Sequence, residues 1–213
     1  MDKKLSKDLQ EALDNVDDTD DEDSDDPQEV RRAKASRARL FALAAKACKS
    51  SNPSVRRHGI DAYSWEGKDA LPELTPMMAD PDEEVAEAAI DAVEQALNEQ
   101  ENVNLRLEAA AAYMKTFSAN EDALTMLGST FSAAALELAD PANNTPAAEL
   151  AAAENRTLVV ELLTEMIDNG SAKCAAAARE AYNEITSEDW ISPAEAQRWA
   201  QDPDNYEPHG AGF

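Results

Sequence analysis

Over residues 82–99, Val85, Ala88, Ala89, Ala92, Ala96 and Leu97 recur at i, i+3, i+4, i+7, i+11 and i+12, while Glu84, Glu87, Asp91 and Glu94 take the other side. An α-helix, at 3.6 residues per turn, gathers the first set on one face. The same period runs through the chain from Pro27 onward, and long β-branched stretches are missing. Six glycines in 213 residues are too few for the frequent turns of a β-sandwich or barrel. The expected fold class is all-α.

The periodic segments lie near 28–49, 53–64, 68–79, 82–99, 103–118, 120–139, 146–168 and 171–186, with a short one near 193–201. Turn chemistry separates them. Asn52 is placed to cap a helix that opens on Pro53, Asp80-Pro81-Asp82 makes the next turn and cap, and Thr145 precedes Pro146. Asn169-Gly170 closes the seventh segment. Pro76 inside 68–79 should kink that helix or cut it short, because it has no N–H to donate. Val55, Ile60, Tyr63, Leu71, Leu74, Val85, Ala89, Ile90, Val93 and Leu97 are expected to form one core.

Charge is distributed unevenly. Against 44 Asp and Glu stand 19 Lys and Arg, a net of −25. Residues 1–27 carry −9, residues 28–58 carry +8 and residues 59–213 carry −24. From Asp17 to Asp26 only Thr19 and Ser24 interrupt a run of carboxylates, so residues 1–27 are expected to form an acidic disordered tail. Within it, Leu5, Leu9 and Leu13 could support a short helix and no more. An acidic body repels phosphate backbones, so no nucleic-acid partner is expected. Arg31, Arg32, Lys34, Arg37 and Arg39 are the exception. At helical spacing they wrap around the helix rather than forming a stripe, and their expected role is to offset the acidic segments beside them. Contact with an anionic surface is the alternative.

Other chemistry is sparse. Cys48 and Cys174 lie in alanine-rich helical sequence and read as buried thiols rather than a bridge. His58 and His209 are the only histidines, which excludes a multi-histidine zinc site; neither a metal nor a cofactor is expected. No apolar run approaches the ~18 residues of a membrane span. Met1-Asp2-Lys3-Lys4 leads into polar sequence rather than a signal peptide, so a cytoplasmic location is expected.

Segments 53–64 and 82–99 match at an offset of 30. Val55 falls on Val85, Gly59 on Ala89 and Ile60-Asp61-Ala62 on Ile90-Asp91-Ala92. Residues 51–97, with the junction ALPELTPMMADPDEEV over 70–85 and Val55-Arg56 opening a helix, resemble HEAT repeats of the short bacterial kind. The second copy departs, since Ala86 follows Val85, and Ala181-Tyr182, preceded by Arg179, looks like a third, degenerate copy. The resemblance implies a right-handed solenoid of helix pairs over 28–187, with a capping helix and tail over 188–213. It implies a non-catalytic scaffold or adaptor for a protein or peptide. In such arrays the second helix of each pair lines the concave surface, which would make Glu84, Glu87, Asp91 and Glu94 a strip for a basic partner. Two HEAT-like enzyme types are the alternatives. One removes alkylated bases from DNA and needs a basic groove, for which Trp65 and Asp69 lie beside the basic stretch but in an acidic body. The other attaches bilins to proteins and has no residue here to support it.

Overall fold

The computed structural model describes residues 2–17, 26–64, 67–139, 145–203 and 206. Among them there are helices and no strand. The chain divides into two compact units, Met1–Glu99 and Gln100–Phe213. The boundary falls inside the segment that the sequence reads as one array.

The first unit holds α1 (Asp2–Asp17), α2 (Pro27–Ala47), α3 (Pro53–Ser64), a 3-10 turn at Gly67–Ala70, α4 (Leu71–Leu74), a second 3-10 stretch at Thr75–Ala79 and α5 (Glu83–Asn98). Pro76 does what its missing N–H dictates: the region between α3 and α5 is three short pieces instead of one helix. The caps are those expected. Asn52 Oδ1 accepts from Ser54 N at 3.1 Å, and Asp82 Oδ1 accepts from Val85 N at 3.3 Å. All ten of the expected core residues are buried. α3 packs on α2 and on α5. The crossing with α2 is close enough that a Cβ at Gly59 would stand 2.8 Å from Cys48 Sγ and 2.9 Å from Cys48 N.

The mobile acidic tail expected over 1–27 is corrected for its first part. Residues Asp2–Asp17 form a helix packed on α2 and α3, with Leu9 and Ala12 each 1% exposed and Val16 buried. Leu9, Ala12 and Val16 stand at i, i+3 and i+7, a wider apolar face than the leucines alone suggest. Ser50 Oγ donates to Asp2 Oδ1 at 3.2 Å, and Ser6 Oγ lies 3.1 Å from His58 Nδ1. The rest of the acidic run, 18–25, lies outside the described residues.

The second unit holds α6 (Val103–Thr116), α7 (Glu121–Ala139), α8 (Pro146–Asn169), α9 (Ala172–Thr186) and α10 (Pro193–Gln201). α7 packs on α6, α8 and α9, and α10 packs on α8. Thr145 Oγ1 accepts from Ala148 N at 3.3 Å, with Pro146 at the first helical position. Alanines dominate the contacts, and Phe131, Leu163, Met166 and Tyr182 fill the larger spaces. Tyr182 meets Trp190 and Trp199 edge-on, with ring centroids 5.1 and 6.1 Å away. Arg156, only 6% exposed, donates from Nε to Ala200 O at 2.9 Å and from Nη1 to Ala139 O at 3.0 Å. Beside it Asn155 Nδ2 donates to Leu138 O at 3.0 Å. These two residues of α8 thereby satisfy carbonyls that the ends of α7 and α10 leave without intrahelical donors, and they place a cation at two helix C-termini.

Two substitutions test this packing. Leu9→Ala should cost about 2–3 kcal/mol in a urea titration; an unchanged midpoint would mean that α1 is not docked. Gly59→Ala should destabilise by about 1–3 kcal/mol through overpacking against Cys48. At an unhindered helical site the same change would stabilise, so a gain at residue 59 would contradict the crossing described.

Candidate functional site

Asp61 and Arg57 on α3 face Glu84, Glu87 and Asp91 on α5 across an open trough of about 330 Å³. Pro53 and Ser54 from the first turn of α3 and Glu84 and Val85 from that of α5 line one adjoining hollow, while the trough reaches Ser64 and Gln95 toward the other ends, so α3 and α5 run parallel. Ile60 and Ala92 are buried at its floor, while Asp61, Glu84, Glu87 and Asp91 are exposed. Arg57 spans the gap, its Nη1 3.7 Å from Glu84 Oε2. Both side chains are largely in water, so the pair adds little stability and leaves Arg57 easy to redirect. A neighbouring hollow of about 570 Å³ continues the trough to the first turns of α3 and α5.

Three of the four residues read from the sequence as an acidic strip, Glu84, Glu87 and Asp91, therefore line one concavity. The fourth, Glu94, is exposed on α5 but does not line the trough. Asp61 and Arg57 belong to the site and were not singled out. The offset of 30 that superposes Asp61 on Asp91 already carried the signal for Asp61; nothing comparable marks Arg57.

What holds α3 beside the turn that leads into α5 is a paired charge with little solvent access. Arg56 donates from Nε to Asp80 Oδ2 at 2.8 Å and from Nη2 to Asp80 Oδ1 at 2.7 Å. Its Nη1 donates to Ser50 O at 3.0 Å, and Asp82 N donates to Asp80 Oδ1 at 2.9 Å. The two side chains are 12% and 6% exposed. One fork thus ties the turn before α3 to the turn before α5, with the bidentate geometry only arginine supplies. Burial alone would raise the Asp80 carboxyl, but the Arg56 guanidinium and the Asp82 N–H hold it below the usual carboxylate range.

The basic cluster stands apart from this trough. Arg31, Arg32, Lys34 and Arg39 are exposed on α2 and Arg37 is half-buried, while Ala33 and Leu40 of the same helix are buried. The cations fan around the rest of the circumference, as their spacing requires. Cys48 and Cys174 are free thiols. Burial, with the charge of Asp80, pushes the Cys48 thiol up to about 11, and burial raises that of Cys174. Neither is poised as a nucleophile at neutral pH. His58 sits at the contact between α1 and α3. His209 and Trp65 lie outside the described residues, and Asp69 is exposed. Among the described residues no group of His, Cys, Asp or Glu could hold a metal ion, and no helix is long and apolar enough to cross a membrane.

Compared with known proteins, the chain matches no protein-family model, no curated protein and no solved structure.

The Asp80 tie has a pH signature. A carboxylate whose folded pKa is depressed contributes stability that is present above its unfolded value of about 3.9 and is lost as pH falls through the folded one. Asp80→Asn should therefore cost about 2 kcal/mol at pH 7, and the difference from the unsubstituted chain should shrink toward pH 2–3. Urea midpoints at the two pH values measure it. A deficit of equal size at both would mean that the charge of Asp80 contributes nothing.

Proposed function

We propose that this chain is a non-catalytic scaffold, a HEAT-like array of helix pairs, that takes a basic protein or peptide along the acidic trough between α3 and α5. The observation that carries this reading is the trough itself: Asp61, Glu84, Glu87 and Asp91 gather from two parallel helices around Arg57. Carboxylates spread evenly over a surface serve solubility. Carboxylates gathered on both banks of a concavity focus potential and suit guanidinium and ammonium groups. The Arg56–Asp80 tie supports a repeat origin, because it joins one turn to the next at the place where the sequence repeats.

The exposed cations of α2 favour a second reading, an anionic surface bound through Arg31, Arg32, Lys34 and Arg39. The two readings respond oppositely to charge reversal. With Glu87, Asp91 and Glu94 all changed to Lys, capture of a basic partner should fall at least about tenfold at low salt, mainly through the on-rate. The thermal midpoint should hardly move, since these positions are solvated. Salt should weaken the unsubstituted complex, because exposed charges are screened over about 8 Å at physiological ionic strength. Salt-insensitive capture, unaffected by the reversal, would remove the trough from the binding surface.

A further inference from the structure

The second unit contains a trough of a different kind, between α7 and α9. Its floor is apolar and small, with Leu124 and Gly128 on α7 facing Ala177 and Ala181 on α9, and its volume is about 410 Å³. Glu180 and Glu184 stand exposed along the α9 bank, and Lys173 Nζ meets Glu121 Oε1 at 2.5 Å where both helices begin. α7 and α9 therefore run in the same direction. The lining spans Lys173 to Glu184 on α9, about 16 Å at 1.5 Å per residue, or three helical turns.

Gly128 is the observation that the unit itself does not explain. It lies in the middle of α7 with ordinary helical backbone, where glycine is less stable than alanine. At Gly59 the neighbouring helix forbids a Cβ. At Gly128 an added Cβ would meet a single described atom within 4 Å, Met114 Cε at 3.8 Å, which is ordinary contact. The missing side chain instead leaves α7 bare on the floor of the trough. A helix-interior glycine that internal packing does not require, facing an open groove, fits the close approach of another backbone.

We infer that the α7/α9 trough seats one helix of a partner protein, with a narrow face of alanine and leucine against Gly128 and Ala177 and lysines or arginines beside Glu180 and Glu184. Helix size follows from the three-turn length between two parallel helices, small side chains from the shallow floor, and basic flanks from the carboxylates on the bank. The inference rests on the protein-binding reading above but names a separate groove and a more specific occupant.

The probe is a fluorescein-labelled synthetic helix of about 18 residues, alanine and leucine on one face and lysine on its flanks, titrated into the full chain at physiological ionic strength. Gly128→Ala should raise the thermal midpoint by about 2–4 °C while weakening the peptide at least threefold, about what one misplaced methyl costs a close contact. Ala176→Trp, at an exposed position on the trough, should weaken it about tenfold without lowering the midpoint. Glu87→Lys with Asp91→Lys changes no residue of this trough, so the component of binding that Ala176→Trp removes should keep its affinity within about twofold. Three results would overturn the inference. One is no binding to the unsubstituted chain. Another is binding untouched by Gly128→Ala and Ala176→Trp but lost on the α5 reversal, which leaves the protein-binding reading standing on the first trough alone. The last is self-association of the unsubstituted chain in sedimentation, abolished by Ala176→Trp, which makes a second copy the occupant.

Discussion

Alanine sets the distance between these helices, and much else depends on that distance. Ala44, Ala47, Ala89, Ala96, Ala110, Ala134, Ala135 and Ala178 are all fully or almost fully buried. Small side chains let helices approach at the short end of the usual 8–10 Å range. Each contact then removes little apolar area, so the chain relies on many such contacts and on a few large residues, Phe131, Tyr182, Leu74 and Leu97 among them. Close approach has a second effect. The outer flanks of neighbouring helices come near enough for carboxylates on both to share one groove, as Asp61 and Asp91 do.

Polar side chains fix what alanine leaves loosely specified. A helix pair packed through small residues can slide, whereas a bidentate arginine cannot be satisfied in two registers. Arg56 gives α3 one position relative to the Asp80 turn, and Arg156 gives α8 one position relative to the ends of α7 and α10. Both arginines are oriented by groups at turns or helix ends, where backbone acceptors and capping carboxylates are available. Removing either partner would leave a charge or several carbonyls short of donors in a confined space, which is costlier than the tie itself is stabilising.

The helices and their caps were legible because period and capping chemistry are local. Asn52, Asp82 and Thr145 act as their positions require, and Pro76 breaks the region it occupies. Two things were not legible. The docking of α1 was obscured by its acidic neighbours, although Leu9, Ala12 and Val16 carry the face that buries it. The Arg56–Asp80 tie joins residues 24 positions apart, and nothing within either segment says that they meet. The acidic trough was half visible: α5 alone announces Glu84, Glu87 and Asp91, and only the repeat offset brings in Asp61.

A protein of net charge −25 attracts cations through many carboxylates, so the question is whether basic partners gather in the troughs or spread over the acidic surface. Amide chemical shifts, followed residue by residue during titration with a lysine-rich helical peptide, answer it most directly. Recognition in the troughs predicts shifts concentrated on α3 and α5 and on α7 and α9, each set saturating at a defined stoichiometry. Shifts spread equally over Glu149, Glu154 and Glu161 of α8, with no saturation, would contradict it and reduce the acidic surface to a solubilising one.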